Sequence, residues 1–133
     1  MIVSTKGRYA LRLMAELAVQ DGVCPLKQIA EEQRIPYKYA ENIATLLTKA
    51  ELITSSRGKA GGYCLCRPPE QYPLSEILTA VETTLAATGC VEAECPRSAT
   101  CPTLPVWKKL DETVRNFLSQ YTLADLLPQK TVE

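Results

Sequence analysis

Three cysteines, Cys90, Cys95 and Cys101, lie within twelve consecutive residues in the second half of the sequence. The segment 89–102 around them contains two prolines and a glycine and lacks helical or strand periodicity, which predicts a loop. Thiolates this close together suit zinc or an iron–sulfur cluster better than a hard cation such as magnesium or calcium. The spacing does not decide between zinc and a cluster, and three ordinary cysteines, two of them in a disulfide, are the simpler alternative.

The overall composition limits what kind of protein this is. At 133 residues, with 46% hydrophobic and 23% charged residues, the chain is expected to form one soluble globular domain, or a small domain with an added arm. No apolar run reaches the length of a membrane span and no signal-peptide pattern opens the sequence, so we expect a cytoplasmic protein. Because thiols stay reduced in the cytosol, six cysteines favour metal or redox chemistry over a disulfide framework.

Histidine is absent from the sequence, which removes the commonest general base and the commonest nitrogen ligand for metals. No paired catalytic carboxylates and no nucleophile motif take its place, so an enzyme is not expected. Charge is divided along the chain: residues 1–70 hold ten Lys or Arg against seven Asp or Glu, and residues 71–133 hold five against eight. A basic first half beside an acidic second half fits a nucleic-acid-binding head with a separate sensing or dimerising part.

Apolar residues at helical spacing predict three short helices in the head. The first begins at Ser4 or Thr5 and ends at Asp21, the second spans 26–33, and the third runs from Pro36 to Ala50. The third helix is expected to bury Ala40, Ile43, Leu47 and Ala50. A tight turn joins the second helix to the third, as in a helix-turn-helix, although an ordinary helical pair fits these residues equally well.

In a helix-turn-helix the second member inserts its first residues into the major groove of DNA. The residues on the outer side of that helix are Tyr37, Lys38, Tyr39, Glu41 and Asn42. Strand 52–55, a basic glycine-rich turn and strand 63–67 follow, and together they predict a wing. The wing residues expected to reach DNA are Arg57, Gly58, Lys59, Gly61 and Gly62. The turn fits neither common phosphate-loop pattern, which disfavours a nucleotide-binding loop.

A proline-rich connector, Pro68–Pro73, marks the predicted boundary between a DNA-binding part, 1–70, and a sensing and dimerising part, 71–133. Beyond it, a helix capped by Ser75 is expected to turn inward Ile77, Leu78, Val81 and Leu85. After the cysteine loop, a longer helix over 103–120 carries an apolar stripe of Trp107, Leu110, Val114, Phe117 and Leu118. This stripe needs a partner surface, either the same helix of a second subunit or the protein's own head. Thr122 is expected to cap a last short turn.

Four stretches together resemble the IscR/NsrR-type winged-helix regulators. They are the opening motif Ser4–Leu11, the wing motif Arg57–Tyr63, the helix Leu74–Leu85, and the cysteine loop followed by Trp107. The resemblance implies a mostly α fold with a small β wing, in which a winged helix-turn-helix is joined to a long dimerisation helix. It also implies a homodimeric transcription regulator, usually a repressor, that binds a palindromic operator and senses redox state, iron, nitric oxide or cluster supply.

The same resemblance assigns roles to individual residues. It makes Cys90, Cys95 and Cys101 ligands of an iron–sulfur cluster, with two or four irons, and places Tyr39 and Glu41 in the major groove and Arg57 in the wing contact. The fourth ligand is not assigned, because Leu104 stands where IscR-like proteins have histidine, and Arg8 stands where NsrR-like proteins have an acidic residue.

Two open questions follow from the cysteine pattern. Glu92 and Glu94 are the nearest anionic residues to the three cysteines, but a carboxylate is a harder ligand than iron–sulfur sites favour. Cys64 and Cys66 lie on the wing strand with both side chains on one face, and they are expected to be small packing residues rather than ligands. The alternative function is a regulator of the same fold that is cluster-free or stabilised by zinc and responds to a protein partner or to thiol oxidation.

Overall fold

The computed structural model describes residues 3–58, 61–83, 85–86, 88–92 and 95–128. The described chain is mostly helical and contains one two-stranded antiparallel sheet. The α-helices and strands are α1 (Thr5–Gln20), α2 (Leu26–Gln33), α3 (Tyr37–Lys49), β1 (Ile53–Ser56), β2 (Gly62–Leu65), α4 (Leu74–Val81), α5 (Gly89–Glu92) and α6 (Leu104–Gln120). Single 3-10 turns are formed by Pro69–Gln71 and Leu123–Leu126.

The ends of the first three helices are set by local chemistry. Ser4 caps α1, since its hydroxyl accepts a hydrogen bond from the Gly7 N–H at 3.1 Å. Asp21 ends α1 in the left-handed conformation, with φ of 47°. Pro36 precedes α3 as its N-cap, because its fixed φ suits a helix entrance and it has no N–H to satisfy. The three predicted helices of the head are thereby confirmed.

The wing follows α3 directly and is fixed to the head at its base. The two strands pair in the register Ile53–Leu65 to Ser56–Gly62. Tyr63 and Cys24 exchange two backbone hydrogen bonds of 2.9 Å, which attach β2 to the segment between α1 and α2. A side chain at Gly62 would collide with the Cys24 carbonyl oxygen, so this close approach requires glycine.

One hydrophobic core includes residues on both sides of the predicted boundary at residue 70. Helix α4 packs against α1, α3 and α6, and its Ile77 is fully buried. Tyr72 is also fully buried, and its hydroxyl donates to the Leu52 carbonyl at 2.7 Å and accepts from two backbone N–H groups. The division into 1–70 and 71–133 stays a prediction. Within the described ranges, every helix is too short or too polar to cross a membrane.

Four sequence-based expectations about local structure were wrong. Ala50 is exposed because α3 ends at Lys49 and Ala50 is only its C-cap, while the chain returns to the core at Leu52. Pro73, not Ser75, precedes α4, and that helix ends at Val81, although Leu85 beyond it is still buried. The predicted cysteine loop contains the one-turn helix α5. Both strands are displaced by about one residue from their predicted positions, with β2 also ending earlier.

Candidate functional site

Helix α3 turns its first residues to solvent, as predicted. Its buried face carries Ala40, Ile43, Ala44 and Leu47. The five residues predicted to read DNA lie outside this face and are all exposed: Tyr37, Lys38, Tyr39, Glu41 and Asn42. Burial of the apolar face fixes the orientation of α3 about its own axis. The residues outside that face are therefore exposed together as one surface.

Tyr39 is held in position by residues of α1. Its ring packs edge-on against Tyr9, with centroids 5.4 Å apart and an angle of 86° between the rings. The Arg12 guanidinium lies 5.2 Å from the centre of the Tyr9 ring and donates to Gln33 at 3.4 Å. Gln33 in turn donates to the buried Glu16 carboxylate at 2.7 Å. The orientation of Tyr39 therefore depends on α1 and α2 as well as on α3.

A cleft between α1 and α3 carries positive charge. It is lined by Lys6, Lys38, Tyr39 and Asn42. Among the described residues, neither lysine forms an ion pair, so both ammonium groups are available to an anion. Lys6 was not among the predicted DNA-binding residues. The sequence offers no signal for it, because only the packing of α1 across α3 brings Lys6 beside Lys38.

The described part of the wing presents its turn to solvent. Arg57 and Gly58 are exposed, and Gly58 has a φ of 108° that favours glycine. A side chain at Gly61 would lie 2.6 Å from the Ser56 carbonyl oxygen, so the turn is tight there as well. Lys59, the other predicted cation of the wing, lies outside the described residues.

The three cysteines of the predicted metal site meet around one small cavity. Cys90 comes from α5, Cys95 and Cys101 come from the segment that follows it, and α6 closes the cavity. The remaining lining residues are Ser98, Leu104 and Trp107. Helix α5 packs against α6, and this contact brings Cys90 toward the other two thiols. The structure thus brings together the three cysteines that the sequence singled out.

The Cys101 thiol lies just before α6, where hydrogen bonds favour its ionised form. Hydrogen bonds from the Thr103 hydroxyl and from the backbone N–H groups of Thr103 and Leu104 lower the pKa of Cys101. The sulfur lies 3.2 Å from the Thr103 hydroxyl oxygen. A lowered pKa raises the thiolate fraction at neutral pH, and the thiolate is the form that binds metal.

The donor set around the cavity consists of three thiols, with the Ser98 side chain beside them. Within the described residues, no three cysteine or carboxylate side chains are arranged to hold one ion. Thiolates bind both iron–sulfur clusters and zinc, so the ligand type fits either group. Cys90, Cys95 and Cys101 are therefore suitable to hold a cluster, and Leu104 supplies no ligand to it.

The other three cysteines lie elsewhere. Cys24 is buried, and burial together with the nearby Glu16 and Glu32 carboxylates raises the pKa of its thiol. Cys64 and Cys66 line a separate cavity at the base of the wing. Cys64 is partly buried and Cys66 is exposed, because β2 turns Tyr63 and Leu65 toward the core and ends before Cys66.

Comparison with known proteins identifies the family. Residues 3–129 match the model of the Rrf2 family, described as iron-dependent transcriptional regulators. The chain belongs to the Rrf2 family. A Neisseria meningitidis protein named as an HTH-type transcriptional regulator is 37% identical over 133 residues, which cover 98% of this chain and 90% of that protein. The transcriptional regulator IscR of Yersinia pestis is 36% identical over 135 residues, covering 99% of this chain and 82% of IscR.

Solved structures of Rrf2-type regulators share the fold. IscR of T. potens superposes with a TM-score of 0.77 at 34% identity, covering 95% of this chain and 85% of that one. CymR of B. subtilis, titled the global cysteine regulator, gives a TM-score of 0.78 at 32% identity and covers 95% of both chains. This Rrf2 protein is therefore a DNA-binding transcription regulator with a winged-helix fold, as the sequence predicted, and not an enzyme.

Proposed function

We propose that this Rrf2 protein is a cytoplasmic homodimeric repressor that binds a palindromic operator and senses its signal through an iron–sulfur cluster. The observation that carries the proposal is the cavity around which Cys90, Cys95 and Cys101 meet. Redox state, iron, nitric oxide and cluster supply are the candidate signals. When bound, a cluster supplies a centre that oxidation or ligand attack destroys, and its loss changes the charge and packing around α6.

The DNA-binding surface combines α3, the wing and the cleft between α1 and α3. Tyr39 and Glu41 are exposed at the start of α3 and would enter the major groove, and the exposed Arg57 of the wing would reach the adjacent groove. Lys6 and Lys38 lie beside Tyr39, where the DNA backbone passes when α3 enters the groove. Base contacts therefore come from α3, and phosphate contacts from the cleft.

The dimer interface is proposed to lie on the exposed apolar side of α6. Val106 is 61% exposed, Leu110 41% and Phe117 55%, and all three project to the same side of the helix. A row of large apolar side chains in water is unfavourable, and a second copy of α6 covers it by two-fold symmetry. A two-fold dimer also matches an operator with two half-sites about one helical turn apart.

The second candidate function is a cluster-free or zinc-stabilised regulator of the same fold that responds to a protein partner or to thiol oxidation. The likeness to CymR, a regulator named for cysteine, supports it. Leu104 also supports it, because this lining residue of the cysteine cavity cannot coordinate a metal. In this case the three thiols act as packing, zinc-binding or redox-active groups without iron.

Anaerobic purification distinguishes the two functions. We expect protein purified without oxygen to contain iron and inorganic sulfide and to absorb visible light, and Cys95→Ala to lose all three properties. Cys24→Ala is the matched control, because its buried thiol faces the core and not the cavity. Operator binding is then measured with and without the cluster, on sequences selected from random duplexes. Protein that takes up zinc, or no metal, after anaerobic reconstitution rules out the cluster and supports the second candidate.

A further inference from the structure

Arg12 is a cation on the outside of α1 whose charge has no anionic partner in the described part of the chain. Its side chain is exposed, and among the described residues only its Nε atom forms a hydrogen bond, donating to the Gln33 side-chain oxygen at 3.4 Å. A guanidinium group carries five N–H donors in a planar fork. The two terminal nitrogens of Arg12 are therefore available to an anion from outside the chain.

The nearest carboxylate along the helix does not neutralise Arg12. Glu16 follows it by four residues, the spacing at which opposite charges often pair on a helix. Glu16 is instead buried, at 8% exposure, and its two oxygens accept from the side-chain amides of Gln20 and Gln33 at 2.8 and 2.7 Å. Neutral donors thus satisfy the buried carboxylate, and the charge of Arg12 stays uncompensated at the surface.

The Gln33 side chain links Glu16 to Arg12 in one defined orientation. An ionised carboxylate only accepts hydrogen bonds, so Gln33 has to turn its NH2 group to Glu16 and its oxygen to Arg12. That oxygen holds Nε, and the guanidinium carbon lies over the Tyr9 ring, 5.2 Å from its centre. Arg12 is thus held at two points while its outer edge is free. Holding a long side chain in advance lowers the entropy that binding costs.

Tyr9 places Arg12 beside the residues of α3 that are proposed to read DNA. The ring that lies under Arg12 also packs edge-on against Tyr39 near the start of α3. Along α1, Lys6 precedes Tyr9 by three residues and Arg12 follows it by three. The two cations are therefore about 9 Å apart along the helix axis. At this separation they reach different phosphates.

We propose that Arg12 binds a phosphate of the DNA backbone beside α3, and that Gln33, fixed by Glu16, is the positioning residue that orients it. The inference deepens the proposed DNA-binding surface and rests on it, and it does not depend on the cluster. Phosphate oxygens accept from the two terminal nitrogens of an arginine as from a fork. Such a contact carries no base information, but it fixes the orientation of α3 in the groove.

The first test is equilibrium binding at several salt concentrations, on the operator and on an unrelated duplex of the same length. Arg12→Ala should weaken binding to both duplexes alike and lower the slope of log K against log salt by about one for each bound subunit. Arg12→Lys should keep the slope but bind less tightly, because an ammonium group cannot form the fork. Lys108→Ala, which removes an exposed cation of α6, is the control and should bind like the parent.

The second test separates positioning by Gln33 from a purely structural role. Gln33→Met keeps the length of the side chain but removes the oxygen that holds Arg12, so DNA binding should weaken. In the Arg12→Ala background the same change should have no further effect on binding, since Gln33 acts through Arg12. An equal loss of affinity in both backgrounds would overturn the positioning role. Urea unfolding measures any loss of stability separately.

Lys38→Ala distinguishes failure of this inference from failure of the proposed surface. If Arg12→Ala matches the parent in affinity and slope while Lys38→Ala weakens binding, Arg12 is not a DNA contact and the surface stands. If both variants match the parent, the proposed surface is overturned and this inference with it. A loss by Arg12→Ala on the operator alone would overturn the phosphate assignment, because it would show a base contact.

Discussion

The Glu82 carboxylate is hydrogen-bonded to Ser4 and joins the end of α4 to the start of α1. One oxygen, Oε1, accepts from the Ser4 backbone N–H at 3.0 Å and from the Ser4 hydroxyl at 2.7 Å. The same oxygen occupies the space that a side chain at Gly7 would need. An anion at this helix N-terminus is favourable, because the free N–H groups there carry partial positive charge. The contact links the helix before the cysteine site to the helix that carries Lys6.

Glu82→Ala should lower the free energy of unfolding by about 1–3 kcal/mol, since it removes two hydrogen bonds and the anion at the α1 terminus. Gly7→Ala should also destabilise, because the new methyl group collides with the Glu82 carboxylate. The double variant should cost clearly less than the sum, since the collision is then absent. Urea unfolding of the four proteins measures this cycle, and strict additivity would show that the two residues do not interact.

Arg57→Ala should weaken operator binding by about 1–3 kcal/mol if the wing arginine enters a groove. Lys6→Ala should instead weaken binding to all duplexes alike and reduce the slope of log K against log salt by about one, as expected for the loss of one phosphate contact. Titrations at several salt concentrations, on operator and on unrelated duplex, measure both effects. Lys108→Ala, an exposed cation of α6, is the control. Unchanged binding by both variants would contradict the proposed surface.

Cys101 in the apo protein should be alkylated faster than Cys24 at neutral pH. Hydrogen bonds lower the pKa of Cys101, whereas burial and two nearby carboxylates raise the pKa of Cys24. The Cys101 rate should fall only as the pH drops through that lowered pKa, because the thiolate is then protonated. Thr103→Val removes the side-chain hydrogen bond and should move this fall to higher pH. Mass spectrometry of timed iodoacetamide reactions reads each site, and an unmoved pH profile in Thr103→Val would contradict the assignment.

Replacing Leu110 and Phe117 with Asp should convert a dimer into monomers that bind the operator poorly. Both side chains lie on the exposed apolar row of α6, where charge prevents close packing of a second copy. Glu112→Lys on the opposite side of the helix is the control and should remain dimeric. Sedimentation at micromolar concentration measures the assembly. A monomeric parent would rule out this interface, and a dimeric double variant would place it elsewhere.

Much of the head could be predicted from the sequence, because its signals are local. Apolar spacing, Ser4 as a cap and Pro36 at a helix entrance locate α1 to α3 within a residue or two. The spacing of the three cysteines also predicted that they lie together, and the structure places them around one cavity. The end of α4 was missed because Leu85 continues the apolar spacing after the helix has ended.

Other features depend on packing between distant segments and leave no local trace in the sequence. Lys6 becomes part of the positive cleft only because α1 crosses α3. From the sequence alone, Asp111 is expected to form only a surface ion pair with Arg115, four residues later in α6. In the folded structure its other oxygen is buried and, among the described residues, has no hydrogen-bond partner. Sequence periodicity predicts helices and strands. Whether a single oxygen atom is hydrogen-bonded depends on the complete fold.

The hydroxyl of Tyr72 ties together the two ends of the wing, since it bonds the Leu52 carbonyl before β1 and the N–H groups of Cys66 and Arg67 after β2. The two backbone N–H groups that donate to the Tyr72 hydroxyl should exchange with solvent as slowly as amides of the core. Their hydrogen bonds break only when Tyr72 leaves the interior. The solvent-exposed amides of Arg57 and Gly58 should exchange quickly. The base of the hairpin would then stay rigid while its tip adjusts to the width of a DNA groove, and the helices of the head would not be destabilised.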